Sequence, residues 1–300
     1  MASLNFFMVG APKTATTTIS QYLRTHPNVF MCEPKEPYFF STDIGPCPYA
    51  RDLRQYLRLF AGALPQHTVV AEASTSYLSS DVACQKIFEF NPQAKILVTL
   101  RNPVDVVHAW HSEMLYAGEE SVEDFGQAWA LQDRRARGEE FSHFCTRPPL
   151  LQYKKMGLLG AGLKKYIDQF GRSRVCWILF DDFRADPRAE YLRLLEFLEL
   201  PLEVPEQFSS FNVNKRHRSA MLGKSARFLR QRLARPMNAT FKLLGLHRSG
   251  LMDRLDRINT RRVERAPLPP DMRERLTSEF RGDIQLLESL IGRDLTEWQH

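Results

Sequence analysis

The chain has 300 residues, with 43% hydrophobic and 25% charged side chains and a formal net charge of +6, a composition typical of a soluble globular protein. Its apolar runs are well short of the ~18–20 residues that a membrane span needs, which excludes a membrane-spanning helix. Met1 leads almost directly into an apolar run, and the 5 cysteines lack CxxC spacing, so we expect a cytoplasmic protein with reduced thiols.

Short apolar runs alternate along the chain with segments of helical periodicity. We predict strands at residues 4–9, 29–31, 68–73, 95–100 and 174–180. We predict helices at residues 16–24, 81–90, 104–116, 122–137, 159–170, 188–198 and 271–291, the last capped by Asp271. This order predicts an α/β fold of the P-loop-like, three-layer kind, with a central, mainly parallel sheet flanked by helices. Ligands of such sheets bind at the carboxyl ends of the strands.

Positive charge is concentrated between residues 215 and 265, which contain 15 Lys and Arg residues but only 3 Asp and Glu residues. The net charge of this segment is +12, and that of the rest of the chain is −6. We treat residues 1–300 as a single domain and 215–265 as a basic, irregular or helical segment within it, with an amphipathic helix at 219–233. Such a segment could cover an anionic nucleotide, bind an anionic acceptor, contact a membrane or form a solvated face. Nucleic-acid binding is not favoured, because the segment lacks interleaved aromatic residues and any recognised motif.

The stretch GAPKTATTT, residues 10–18, joins the first predicted strand to the first helix. Backbone N–H groups in such a loop point inward, and the helix dipole adds positive potential, so the loop is suited to a phosphate-like anion. A Walker loop would place its second Gly at Ala15 and its Lys at Thr16, whereas the lysine here, Lys13, comes three residues earlier. A tight turn without a ligand is the alternative. Hydroxyl donors are offered by Thr14, Thr16, Thr17 and Thr18.

Two further polar positions follow predicted strands. Arg101 lies at the carboxyl end of the strand at 95–100, where a guanidinium group can bind a second phosphate in bidentate fashion; a surface salt bridge is the alternative. Asp181 and Asp182 follow the strand at 174–180 and superficially resemble the Mg²⁺-binding acid of a kinase.

Glu36 lies in the stretch EPKEPYFF, residues 33–40, beside the aromatic residues Tyr38, Phe39 and Phe40. A carboxyl group that is partly enclosed by aromatic side chains can have a raised pKa and act as a general base. An exposed loop acid next to core phenylalanines is the alternative.

Together these motifs resemble the sulfotransferases that use 3′-phosphoadenosine 5′-phosphosulfate (PAPS), and in particular the branch that contains heparan sulfate sulfotransferase domains and bacterial relatives. The corresponding motifs are the phosphosulfate loop at 12–17, the HP pair at 26–27, Glu36 before two aromatics, a GE.S..YL-like strand end at 71–78, LRNP at 100–103, FDDF at 180–183 and IGRDLTEW at 291–298. The resemblance implies sulfuryl transfer to a hydroxyl group of a small-molecule or glycan acceptor, with an amine as the alternative. It implies Glu36 as base, Lys13 on the leaving phosphate and no metal.

The resemblance also implies a nucleotide site formed by the loop residues Pro12, Lys13, Thr14, Ala15, Thr16, Thr17 and Thr18 together with Arg101. The chain departs from the family at Ala15, where Gly is usual, and at Ala109, where the serine of the 3′-phosphate motif is usual. Because Ala15 carries a Cβ, we expect its backbone to avoid positive φ. In place of the serine we expect Lys215, Arg216 and Arg218 of the late basic loop to hold the 3′-phosphate, with Ser112 as a weaker candidate.

The acceptor is not identified by the sequence. Tyr38, Phe39, Tyr77 and Tyr153 are candidates to contact it, and core packing is the alternative for each. A metal-dependent P-loop kinase acting on a small molecule and a non-catalytic nucleotide-binding relative are alternative functions. The sequence leaves the oligomeric state open.

Overall fold

The computed structural model describes residues 4–205, 207–208, 215–217, 260–262 and 265–299. Its centre is a sheet of five strands in the order β2-β3-β1-β4-β5, and every neighbouring pair is parallel. This sheet confirms the predicted fold class. The strands are β1 Phe6–Gly10, β2 Val29–Met31, β3 Val69–Ala73, β4 Lys95–Leu100 and β5 Val175–Leu179.

The sheet is buried on both faces, and successive side chains of each strand point to opposite faces and so into different cores. In β1, Phe7 and Val9 pack into one core and Phe6 and Met8 into the other, and all four are almost completely buried. The α-helices are α1 Thr16–Thr25, α2 Leu53–Arg58, α3 Ala83–Phe90, α4 Pro103–Ala117, α5 Phe125–Ala130, α6 Gln132–Ala136, α7 Tyr153–Gly157, α8 Leu159–Phe170, α9 Phe180–Ala185, α10 Pro187–Leu198 and α11 Pro270–Ile291.

Several elements differ from the sequence prediction. The helix expected at 122–137 is two short helices, α5 and α6, and the first is capped by the Asp124 side chain, which accepts from Gln127 N. Asp271 does not cap α11, because the helix begins at Pro270 and Asp271 lies within its first turn. The short helix α2 was not predicted. The predicted helix at 219–233 lies outside the described residues.

Near its carboxyl-terminal part the chain forms a two-stranded antiparallel sheet of β6 Lys215–His217 and β7 Thr260–Arg262. The backbone of β6 lies against α4. Helix α11 packs along α8. Among the helices that the structure describes, none is long and apolar enough to cross a membrane.

Candidate active site

The loop at residues 10–15 leaves the carboxyl end of β1 in a shape that its own side chains hold. Gly10 has φ 130°, and a Cβ at this position would lie 2.4 Å from the carbonyl oxygen of Thr75, so only glycine fits. The Thr14 hydroxyl donates to Ala11 O at 2.5 Å and lies 2.5 Å from Thr99 Oγ1, which in turn donates to Gly10 O at 2.9 Å. The expectation that the Thr14 hydroxyl serves a ligand is therefore wrong, because it closes the loop.

The first turn of α1 is left uncapped by side chains. Its N-cap residue, Ala15, forms no side-chain hydrogen bond with the helix, and the turn contains no acidic residue. Thr16 and Thr18 are buried and Thr17 is half-buried. Backbone N–H groups of a first helical turn that have no capping side chain attract an anion.

Ala15 adopts the left-handed conformation, with φ 68° and ψ 13°. The expectation that its backbone avoids positive φ is wrong. The loop must turn sharply to enter α1, and this backbone conformation is imposed at residue 15 whether or not the residue is glycine. Lys13 is also left-handed, at φ 64°.

Two cations meet at this loop. Lys13 Nζ lies 3.1 Å from Glu113 Oε2 of α4, and both side chains keep part of their surface exposed. Arg101 follows β4, donates from Nη1 to Lys13 O at 3.3 Å, and stacks its guanidinium group over the Phe180 ring at 4.6 Å. The structure therefore brings the two residues together at the carboxyl ends of β1 and β4.

Two arginines that the sequence did not single out lie beside Arg101. Arg265 donates from Nε to Ser112 Oγ at 3.0 Å, and Arg273 Nη2 lies 3.0 Å from Asp105 Oδ1. Arg101 Nη2 is 3.5 Å from the other oxygen of Asp105. We call Arg101, Arg265 and Arg273 the arginine cluster. Ala109 lies in the same stretch of α4 and is buried. Its methyl side chain has no polar atom that could bind a ligand.

Glu36 is fixed beside β3, with Glu36 N donating to Ala73 O at 3.0 Å. Its carboxylate accepts from Lys35 Nζ at 2.5 Å and from the Tyr38 hydroxyl, and 27% of the side chain is exposed. The surroundings are thus polar donors as well as aromatic rings. An accessible carboxylate held by two donors is suited to receive a proton from a group that enters beside it.

Directly behind this loop lies a second carboxyl group, Glu72 of β3, which is completely buried. Ser74 Oγ donates to it at 2.5 Å, and the Tyr56 hydroxyl donates to its other oxygen. Burial raises the pKa of Glu72 to about 7, and hydrogen bonds from Ser74, Tyr56 and Tyr77 oppose that rise. The sequence singled out Glu72 only as part of a motif; its position inside an apolar strand was the available signal of burial.

The four acceptor candidates fall into two classes. Tyr38 and Phe39 are half-buried, and the Arg147 guanidinium lies 5.3 Å from the centroid of the Tyr38 ring. Tyr77 and Tyr153 have no exposed surface and pack into the hydrophobic core. Their hydroxyl groups are bonded there, since Tyr77 OH accepts from Phe40 N at 3.2 Å and Tyr153 OH donates to Glu120 at 2.7 Å. The assignment of Tyr77 and Tyr153 to an acceptor surface is therefore wrong, since both are core residues.

The remaining predicted residues are placed as follows. Pro12 is buried in the loop. Lys215 and Arg216 belong to β6, whose backbone lies against α4, and Arg218 lies outside the described residues. Asp181 and Asp182 lie in the first turn of α9, and Asp182 pairs with Arg293, so this acidic pair has a structural partner.

Comparison with known proteins places this geometry in a family. A family model described as a sulfotransferase domain matches residues 4–233. A solved sulfotransferase from Alicyclobacillus acidocaldarius is 28% identical, with a TM-score of 0.73 over 100% of both chains.

Two curated relatives have narrower coverage. Heparan sulfate glucosamine 3-O-sulfotransferase 6 of Homo sapiens is 26% identical over 208 residues, which are 69% of this chain and 56% of that protein. Bifunctional heparan sulfate N-deacetylase/N-sulfotransferase 1 of Caenorhabditis briggsae is 24% identical over 205 residues, 66% of this chain and 23% of that protein. The chain thus spans about a quarter to about half of these relatives. The match to the family model covers well over half of the chain, and the chain belongs to the sulfotransferase domain family.

Proposed function

We propose that this protein transfers a sulfuryl group from PAPS to a hydroxyl group of an acceptor, with Glu36 as the proton acceptor. The observation that carries the proposal is convergence at one edge of the sheet. The uncapped helix α1, Lys13 and Arg101 lie at the ends of β1 and β4, and Glu36 is hydrogen-bonded to the end of the neighbouring β3. These positions support a site in which an anion and a base lie close together, because ligands of open parallel sheets bind outside the carboxyl ends of the strands.

The residues present fit a nucleotide with two separated anionic groups. The loop at 10–18 and Lys13 suit the 5′-phosphosulfate, because the first turn of α1 has no capping side chain and Lys13 lies two residues before the N-cap residue of this helix. Arg101 joins that loop to the arginine cluster, which suits a second phosphate. When bound, PAPS supplies the sulfuryl group and leaves as adenosine 3′,5′-bisphosphate. Lys13 and the loop amides stabilise negative charge that grows on the leaving phosphate.

Glu36 takes the proton of the acceptor hydroxyl. Its donors, Lys35 and Tyr38, hold the carboxylate in place, and the bond from Glu36 N to Ala73 O fixes the loop that carries it. A base positioned in this way typically contributes about 10²- to 10⁴-fold to the rate.

For the acceptor we propose a glycan hydroxyl. Both curated relatives described above carry heparan sulfate in their names. Arg147 also lies over the Tyr38 ring and keeps 32% of its side chain exposed, although Glu119 is 3.8 Å from its Nε, so it can donate to a carboxylate or sulfate group of a sugar. Arg147 is held there because the Glu119 carboxylate accepts from Thr146 N at 2.6 Å and from Arg147 N at 3.1 Å.

The test is transfer of ³⁵S from labelled PAPS to a panel of glycans, alcohols, phenols and amines. We expect Glu36→Gln to lower the transfer rate by about 10²-fold or more, because the amide cannot take the proton, while adenosine 3′,5′-bisphosphate still binds. Glu33→Gln is the matched control, since Glu33 is an exposed acid of the same loop that pairs with Arg24. Near-normal turnover in Glu36→Gln would remove Glu36 as base, and absence of label from every acceptor would favour a non-catalytic relative.

A further inference from the structure

The stretch of α4 around Ala109 is flanked by arginines that are anchored on either side of it. Asp105, four residues before Ala109, holds Arg273 at 3.0 Å, and Ser112, three residues after it, holds Arg265 at 3.0 Å. Residues at these spacings follow one another along one side of a helix. Both arginines are therefore brought to the flank of α4 where the chain has Ala109 rather than a side chain with a hydroxyl group.

These arginines come from a different part of the chain. Arg265 precedes α11, and Arg273 lies in its first turns. Ser112 donates its own hydroxyl to His108 O at 3.3 Å while it accepts from Arg265 Nε. The Ser112 hydroxyl thus positions Arg265. It binds Nε of the guanidinium group rather than either of the two terminal Nη atoms.

The cluster has more positive than negative charge. Within the part of the chain that the structure describes, Asp105 is the carboxylate that pairs with Arg101 and Arg273, and its charge also acts on Arg265, so the three arginines and Asp105 together carry a net charge of +2. Burial and the positive charge of Arg101 lower the pKa of Arg265. Burial and the charges of Arg265 and His111 lower the pKa of the neighbouring His108 to about 4, so this ring is neutral at physiological pH. A partly buried excess of positive charge is stabilised by an anion.

We infer that Arg265 and Arg273, together with Arg101, bind the 3′-phosphate of the nucleotide, and that Ser112 is a positioning residue for Arg265. A phosphate monoester dianion matches the net charge of the cluster, and planar guanidinium groups can each donate two hydrogen bonds to it. The inference rests on the proposed function, because it assigns the second phosphate of the same nucleotide. The backbone of β6 lies against the same helix, so Lys215 and Arg216 belong to the same region of the fold.

The test compares two nucleotides that differ only in the 3′-phosphate. Calorimetric titration of the full chain with adenosine 3′,5′-bisphosphate and with adenosine 5′-monophosphate gives the preference for the bisphosphate. We expect Arg265→Ala to weaken the bisphosphate by about 10- to 100-fold, the range for hydrogen bonds to a charged group, and to leave the monophosphate within about twofold. Arg265→Lys should recover part of the loss, because it restores the charge without the planar fork.

Arg275→Ala is the matched control, because Arg275 is an exposed arginine on α11 two residues beyond Arg273. It removes one positive charge and should leave both affinities unchanged. Ser112→Ala should reduce bisphosphate binding by a few-fold, since Arg265 keeps its charge but loses its anchor. If Arg265→Ala proves unfolded in a thermal melt, the lysine and Ser112 variants carry the test.

The outcomes separate the inference from the function on which it rests. Equal weakening of both nucleotides by Arg265→Ala, or an unchanged preference for the bisphosphate, would overturn the 3′-phosphate assignment. A wild-type protein that binds both nucleotides equally would overturn the assignment and leave the loop site intact. A wild-type protein that binds neither nucleotide would overturn the proposed function as well.

Discussion

At the scale of the residue, Ala15 shows that a loop can require the left-handed backbone conformation at a position where the residue is not glycine. Its φ of 68° is a conformation that costs a residue with a Cβ about 1–2 kcal/mol, and glycine adopts it freely. The strain persists because the hydrogen bonds that involve Gly10, Thr14 and Thr99 fix the conformation of the loop. An uncapped helix start and a fixed loop are properties that an anion site needs.

We expect Ala15→Gly to leave the protein as stable as the wild type or to stabilise it by up to about 1 kcal/mol. Relief of the left-handed strain is partly offset by the larger conformational entropy of glycine in the unfolded chain. Ala109→Gly, in the interior of α4, is the control and should cost about 1 kcal/mol. Urea unfolding measures both, and an Ala15→Gly variant that loses as much stability as Ala109→Gly would contradict the argument. Bulkier residues at 15 should weaken bisphosphate binding first.

At the scale of the element, the end of β3 organises the loop that carries Glu36. Ser74 Oγ donates to the buried Glu72 and accepts from Tyr38 N at 3.0 Å, and Ala73 O accepts from Glu36 N. One strand end thereby holds the backbone on both sides of Pro37. Ionisation of Glu72, the carboxyl group at the centre of this network, costs free energy because it places a charge in a fully buried site.

Glu72 should make the stability of the protein fall as the pH rises. Its pKa is raised from 4.5 in a model peptide to about 7 in the fold, so the folded state binds the proton more tightly. The stabilising effect is fully present below about pH 4.5 and is lost as the pH rises through 7, a change of about 3 kcal/mol. Glu72→Gln should flatten the dependence of unfolding free energy on pH between 5 and 8. A variant with the same slope as the wild type would show that Glu72 does not titrate there.

At the scale of the whole molecule, a buried ion pair connects the turn after α4 with two of the short helices that follow it. Glu120 and Arg135 have 1% exposed side chains and form two hydrogen bonds, at 2.7 and 2.9 Å, and Tyr153 OH adds a third to Glu120. Arg135 and the charge-assisted bonds lower the pKa of Glu120 against the opposing effect of burial. The turn after α4 is thereby joined to α6 and α7, and the adjacent Glu119 holds Arg147 over Tyr38.

Breaking this pair from one side should be costly. We expect Glu120→Gln to destabilise the protein by about 3–5 kcal/mol, because it leaves the Arg135 charge buried without its partner. Asp168→Asn, which breaks the exposed pair with Lys164, is the comparison and should cost less than about 1 kcal/mol. Thermal and denaturant unfolding measure both changes. Similar losses in the two variants would mean that water reaches Arg135.

The sequence by itself determined the five strands, most of the helices and the fold class, because apolar periodicity and turn residues act locally. It also determined the family, since the loop at 10–18, Glu36 and the LRNP motif keep their order along the chain. Short helices such as α2 carry too few apolar positions to predict, and a capping role for Asp271 depends on where the helix starts.

Only the tertiary structure decided which side chains meet. It placed Tyr77 and Tyr153 in the core, tied the Thr14 hydroxyl to the loop, and imposed positive φ on Ala15. It also brought Arg265 to α4 beside Arg101, 164 positions apart in sequence. Spacing along the chain gives no information on such contacts, because they form only when the sheet and its helices pack, and burial and charge are then set by neighbours that are distant in sequence.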